Sequence, residues 1–256
     1  MNGGAGQAFR NTPAAVDDST PPMRVLAVDC STPVSSIALL EGPRIMGEWT
    51  VQAREPHNRR LLKSIDRHLQ ELGWTFEQLD GFAAGIGPGS FTGLRIGVTT
   101  LKTLAWAVQK PFAGISSLDA LAAPLALAAL SVCSLIDARK EEVYCALYQP
   151  DGRGGLIRRT PYLVEAPERL LTRIELPTIF CGDGWPRCRD LFSKELGDRV
   201  REAPGTCQVV RAGFVGELAR QRFQTQQRDD PAVVVPLYVR PSEAEIQHPH
   251  LRSSAL

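Results

Sequence analysis

The chain has 256 residues, 43% hydrophobic and 22% charged, with a net charge of +1. That length fits one large domain or two small ones around a buried core, and the near-neutral charge excludes a global electrostatic case for nucleic acid. No uninterrupted apolar run reaches the ~18–20 residues that a bilayer span needs, because Asp119, Pro124 and Ser131 interrupt the longest candidate, Leu118 to Leu135.

Residues 1–22 are rich in Gly, Ala, Pro, Asp, Ser and Thr and lack the apolar centre of a signal peptide, so a disordered extension is expected there. Folding is expected to start at Met23. Val25 to Asp29 reads as a strand, Ser31 to Pro33 as a turn, Val34 to Leu40 as a second strand and Ile45 to Val51 as a third: an antiparallel meander. A helix follows, because Leu61, Leu62, Ile65, Leu69 and Leu72 recur at the helical period. Arg59, Arg60, Lys63 and Arg67 form its opposite, solvated face, and Gly73 ends it. Gly81 to Ile86 reads as a buried strand, Leu94 to Gln109 as a helix and Phe112 to Ile115 as a further strand.

A similar order returns. A helix is expected over Leu118 to Leu130, with strands at Val132 to Asp137, Glu142 to Tyr148 and Leu156 to Val164. A helix at Pro167 to Arg173, a strand from Thr178 ending on Gly182-Asp183-Gly184 and a last helix at Phe214 to Phe223 complete the pattern. Both halves open with a strand meander whose first strand ends in an acid, Asp29 and Asp137. This is an α/β plan used twice, the duplicated mixed-sheet arrangement of the actin/sugar-kinase/Hsp70 (ASKHA) superfold. The expected domains are 23–112 and 113–240, with the helix at about 213–224 a candidate to pack back on the first and a flexible tail at 241–256.

The most informative local sequence is Gly87-Pro88-Gly89-Ser90-Phe91-Thr92-Gly93. Its glycines and proline exclude regular structure. Between a strand and a helix, it can present N–H groups to an anion or simply let two elements pack closely. It is neither G-x-x-x-x-G-K-[ST] nor G-x-G-x-x-G, and the chain has no G-x-S-x-G. The six cysteines, Cys30, Cys133, Cys145, Cys181, Cys188 and Cys207, include no C-x-x-C pair and match no zinc spacing. They read as reduced thiols of a cytoplasmic protein, with a Cys181–Cys188 pair as the minor alternative. Of the four histidines, His57, His68, His248 and His250, none forms a ligand-spaced pair in the folded body. No metal site and no catalytic residue are expected.

Gly87 to Gly97, reading G-P-G-S-F-T-G-L-R-I-G, resembles the signature of the TsaB family, also called YeaZ. Leu26 to Thr32, His57 to Leu62, Gly114 to Leu121, Ile136 to Arg139 and Gly182 to Gly184 agree, so the resemblance runs from about Met23 to Arg240. It implies a non-catalytic subunit in the threonylcarbamoylation of adenosine 37 (t6A) in tRNA, binding and activating a TsaD-like transferase, with a TsaE-like ATPase as a further partner. It implies docking through His57, Leu61, Leu62, Ile65, Leu69, Phe91, Leu94, Arg95 and Val98. The transferase relatives bind a metal through H-x-x-x-H, and Ser117 and Leu121 stand here where those histidines would be; leucine cannot ligate a metal and a neutral serine does so poorly. The superfold also marks Asp29, Ser31, Thr32, Gly87, Gly89, Gly182 and Gly184 as candidate phosphate or nucleotide contacts, with ATP or ADP at a subunit interface rather than a cofactor of the chain's own. For Asp29 the structural alternative is a turn-capping carboxylate. An independent small ATPase or kinase, and a homodimer that covers the docking face, are the competing readings. tRNA is expected to be touched only through the complex.

Overall fold

The computed structural model describes residues 8–10, 21–52 and 57–240. Strand β1 (Ala8–Arg10) corrects the expectation of an unstructured extension for these three residues, which pair antiparallel with β9 (Gly155–Arg158). The rest of residues 1–20 and the expected tail lie outside the described residues.

The first half contains β2 (Arg24–Asp29), β3 (Ser35–Glu41), β4 (Arg44–Val51), α1 (His57–Glu71), β5 (Gly81–Gly87), α2 (Phe91–Ala107), β6 (Phe112–Ser116) and α3 (Ser117–Ala122). Strands β2 to β4 form the meander, β5 lies parallel to β2 and β6 parallel to β5, giving the order β4-β3-β2-β5-β6. The second half contains β7 (Ser131–Asp137), β8 (Val143–Pro150), β9, β10 (Leu163–Glu165), α4 (Pro167–Leu171), β11 (Thr178–Cys181), α5 (Trp185–Leu196), β12 (Val200–Glu202) and α6 (Ala212–Gln224). Strands β9 and β10 pair in succession with β8, then β7, β11 and β12 follow in parallel. The first sheet runs third, second, first, fourth, fifth strand of its half; the second repeats that order as β9-β8-β7-β11-β12 once β10, which pairs with β8 off this path, and β1, added beyond β9, are set aside, so the duplication read from element order is present in the topology.

The two faces of each strand separate the layers, because successive side chains point opposite ways. Leu26, Val28, Leu39, Phe82 and Phe112 meet α1 and α2 on one face of the first sheet. Val25, Ala27, Ala38, Ala83 and Ala113 face the centre, where α3 and α6 lie between the sheets against Val132, Ile136, Ala146 and Tyr148. Cys133, Leu135, Val143, Cys145 and Phe180 carry α4 and α5 on the far side. Small residues dominate the central layer because helix and sheet approach closely: a Cβ at Gly216 of α6 would overlap Leu40 and touch Ala27. The helix at 212–224 packs on the first sheet, where Glu48 of β4 accepts a 2.7 Å bond from Gly213 N and pairs with Arg211, and Ser36 Oγ accepts from Ala212 N.

Several boundaries differ from the sequence reading. Strand β6 belongs to the first sheet, so a division at residue 112 falls at the head of a first-half strand. The helix expected to Leu130 gives way after Ala122 to a 3-10 segment, Ala123–Ala128, where Pro124 lacks the N–H that an α-helix needs. The expected strand over Leu156 to Val164 is two, β9 and β10. Helix α5 and strand β12 were not anticipated. The signal for α5 was present: Trp185, Cys188, Phe192 and Leu196 follow the helical period, Pro186 sits in the first turn and Gly197 ends it at φ +53°.

Candidate functional site: a cleft between the halves

Asp29 ends β2 and is 1% exposed. Its Oδ1 accepts from Ser31 N at 2.8 Å and Ser31 Oγ at 2.6 Å, and its Oδ2 accepts from Ser117 Oγ at 2.6 Å. A Cβ at Gly85 would overlap Oδ2, so the carboxylate fills a space that only glycine leaves. The geometry is that of a buried cap tying β2, its turn and α3 together. It sits under the floor of the cleft rather than in it.

The glycine loop is held by the same turn. Gly87 N donates to Ser117 Oγ at 3.3 Å and Ser90 N to Ser31 O at 2.6 Å. Cβ atoms at Gly89 and Gly93 would overlap the carbonyls of Ser31 and Cys30. Ser90 caps α2 by accepting from Gly93 N, so the helix begins at Phe91 and takes in the last glycine of the motif. Close packing therefore accounts for these glycines. The same holds for Gly182 and Gly184, which lie against the backbone of Leu135 and Ile136.

Above this floor a cavity of about 840 Å³ opens between the halves. Ser31, Thr32 and Pro33 with Gly89, Ser90, Phe91 and Arg95 line one side; Ile136 to Lys140, Tyr144 and Asp183 line the other; Leu237 to Arg240 close it. Of the candidate phosphate contacts, Ser31, Thr32 and Gly89 line the cavity, whereas Asp29, Gly87, Gly182 and Gly184 do not. The cations that line it, Arg95, Arg139, Lys140 and Arg240, were not assigned to a cleft from sequence, because they come from three segments far apart in the chain. The turn from β7 to β8 is unusual in holding three consecutive non-glycine residues in the left-handed region, Arg139, Lys140 and Glu141, at φ +61°, +49° and +59°. It is fastened by Asp137, which accepts from Arg139 N at 2.9 Å and Arg187 Nη2 at 3.3 Å, and by Arg187 Nη1 on Glu141 at 2.7 Å. Asp183 Oδ1 accepts from Asp137 N at 3.1 Å. The protein around Asp183 and the neighbouring Asp137 carboxylate push it up to about 6, although one side of its side chain is open to the cavity.

The expected docking residues divide sharply. Leu61, Ile65 and Leu69 of α1 and Val98 of α2 are buried in the first-half core, and Leu94 is buried near the start of α2, so these five present no open surface in the chain by itself. Leu62, Phe91 and Arg95 are exposed, Leu62 by 52%, as are Lys63, Asp66, Arg67, Thr99, Thr103 and Trp106 of the same two helices. Arg60, read as solvated, turns inward to Ser35 Oγ. His57 begins α1, and its side chain lies outside the described residues.

Among the described residues no three His, Cys, Asp or Glu side chains converge as a metal would need, all six cysteines are free thiols, and no helix is long and apolar enough to cross a membrane. Ser117 Oγ is committed to Asp29 and Gly87, and Leu121 is buried beside Gly182, so these two positions do not fit a metal.

Two duplicated mixed-sheet halves facing each other across a cleft define the ASKHA class of α/β proteins. The family model "TsaD: tRNA N6-adenosine threonylcarbamoyltransferase" matches residues 50–248. The chain is 28% identical to the tRNA threonylcarbamoyladenosine biosynthesis protein TsaB of Bacillus subtilis, over 87% of this chain and 96% of that one. It is 34% identical to its Escherichia coli counterpart, over 70% and 79% respectively. A crystal structure from Pseudomonas aeruginosa, described as similar to peptidase YEAZ, superposes with a TM-score of 0.73 at 28% identity, covering 85% of this chain and all of that one. The chain belongs to the TsaB family.

Proposed function

We propose that this protein is a non-catalytic subunit required for forming threonylcarbamoyladenosine at position 37 of tRNA, which docks on a TsaD-type transferase and favours its active conformation. The observation that carries this reading is the state of Ser117 and Leu121: family membership with the transferase ligand positions taken by a hydroxyl already bonded to Asp29 and by a buried leucine. Relatives named as biosynthesis proteins, while the family model bears the transferase name, are consistent with a division of labour. The docking surface is the outer ridge of α1 and α2, centred on Leu62 and Trp106, since these apolar side chains face solvent while their neighbours hold the core. A partner that binds one conformation of the transferase better than another shifts its population by that difference in affinity. The test is co-purification and tRNA modification with Leu62→Glu and Trp106→Glu. Both should lose complex formation and modification while melting near the wild-type temperature. Full complex formation by both variants overturns the docking surface; full modification without this chain overturns the role.

The cleft supports a second activity, the holding of a nucleotide, because its cationic lining suits phosphates and its size suits a mononucleotide. Calorimetry with Mg-ATP on the isolated chain tests it. Binding with phosphate release, abolished by Lys140→Ala, would favour an independent ATPase over the subunit reading.

A further inference from the structure

The segment after α6 does more than end the fold. Asp229 fixes its start: Asp229 N donates to Phe112 O at 2.8 Å, Asp229 Oδ2 accepts from Gly114 N at 2.8 Å, and Arg222 grips the carboxylate through both Nη atoms at 3.0 and 2.8 Å. These contacts cover the outer edge of β6, the last strand of the first sheet. The chain then runs antiparallel along α2. Lys102 Nζ donates to Val234 O at 3.3 Å and Leu237 N to Ile86 O at 2.7 Å. Tyr238 reaches the start of α2, its ring 5.2 Å from that of Phe91 and its hydroxyl accepting from Arg95 Nε at 3.2 Å. Two residues later the chain has crossed to the other half, where Arg240 donates to Ala138 O at 3.3 Å and pairs with Glu142.

The two ends of this strap differ in kind. Its root is a bidentate, part-buried ion pair combined with backbone bonds to a sheet edge. Its tip, beyond the backbone bond at Leu237, is held by side chains alone: a tyrosine that is 42% exposed, its exposed hydrogen bond from Arg95, a bond from Arg240 to Ala138 O and one ion pair covered about as well as the root's. Contacts of the tip's kind contribute little individually, so the tip can detach while the fold persists. The tip also lands on the turn whose three residues adopt left-handed conformations, a local strain that the surrounding contacts must hold. Tyr238 and Arg240 touch opposite lips of the cavity.

We propose that residues 237–240 are a releasable latch that ties the two halves together across the mouth of the cavity. When it is seated, Tyr238 and Arg240 close the opening between α2 and the β7–β8 turn. When it lifts, the halves are joined there only through their central layer and the cavity opens to solutes. The strap stays fixed to β6 at Asp229 and to α2 at Val234, so only its end moves. The inference rests on the cavity and its contacts, and not on the tRNA-modification reading, so either can fail alone.

Hydrogen exchange of the full chain tests it. The amides of Ala138 and Glu142, bonded across the turn, report one lip, and those of Ser90 and Leu94 report the other. In Tyr238→Ala/Arg240→Ala, exchange at both lips should accelerate roughly tenfold, with α4 and α5 unchanged and the melting temperature close to wild type. Wild-type exchange at either lip, or uniform acceleration through α4 and α5, overturns the latch. A charge exchange, Arg240→Glu with Glu142→Arg, should return the β7–β8 turn to slow exchange. If it exchanges as fast as Arg240→Glu alone, the ion pair is not what holds the tip.

Discussion

At the scale of single residues, the acid that ends β2 illustrates how position alone misleads. Asp29 stands where the superfold's active members place an acid that meets a metal-bound nucleotide, yet its carboxylate accepts from Ser31 and Ser117 and lies against Gly85, where no side chain would fit. Ser117→Ala deprives Oδ2 of its 2.6 Å donor and should lower stability by ~1–3 kcal/mol, the cost of leaving a buried polar group short of a partner. Urea unfolding measures this. Asp183, by contrast, faces the cavity, and the protein packed on its other side pushes its carboxyl up to about 6. It binds its proton more readily in the folded than in the unfolded chain. It therefore favours folding most below about pH 4, the ordinary aspartate range, and loses that contribution as pH rises through about 6. Asp183→Asn should flatten the fall in melting temperature between pH 4 and 6; an unchanged profile would show that Asp183 titrates normally.

Elements show a sharper split between what periodicity reveals and what it hides. The stripe of α1 identified a helix and its apolar side, and Leu61, Ile65 and Leu69 do lie on one face. Periodicity could not separate core from docking surface, because both require apolar residues; only burial placed Leu62 outside and its neighbours inside. Helix α6 depends on another distant element for its start. Glu48, on β4, takes the part a local capping residue usually plays by accepting from Gly213 N and neutralising Arg211 beside the positive end of the helix. Glu48→Ala should cost ~1–2 kcal/mol, measured by denaturant, while Glu41→Ala, which removes a more exposed carboxylate that caps no helix, should cost less.

Across the whole molecule the central layer joins what the topology duplicates. Helices α3 and α6 pack between the sheets, and Asp119 of α3 accepts from Tyr148 Oη at 2.8 Å and Tyr162 Oη at 2.7 Å in the second half. Burial pushes the Asp119 carboxyl up, and the two phenols partly offset it. A shared core predicts one cooperative transition. Trp185 reports the second half and Trp49, Trp74 and Trp106 the first. Single-tryptophan versions should unfold in urea at coincident midpoints; separated midpoints would mean the halves fold independently.

The sequence by itself determined the duplicated element order, the opening meander, the glycine turn and the lack of a histidine pair at Ser117 and Leu121. These are local properties: alternation, helical period, backbone freedom at glycine and the chemistry of side chains each act within a few residues. It also carried the α5 stripe, at Trp185, Cys188, Phe192 and Leu196. Only the tertiary structure decided which apolar residues are covered, that Asp29 lies beneath the cleft, and that Arg95, Arg139, Lys140 and Arg240 meet around one cavity. Those facts depend on which segments the fold brings together. The strap from Asp229 to Arg240 is the clearest case, since its contacts span both halves and no pattern within its own residues announces them.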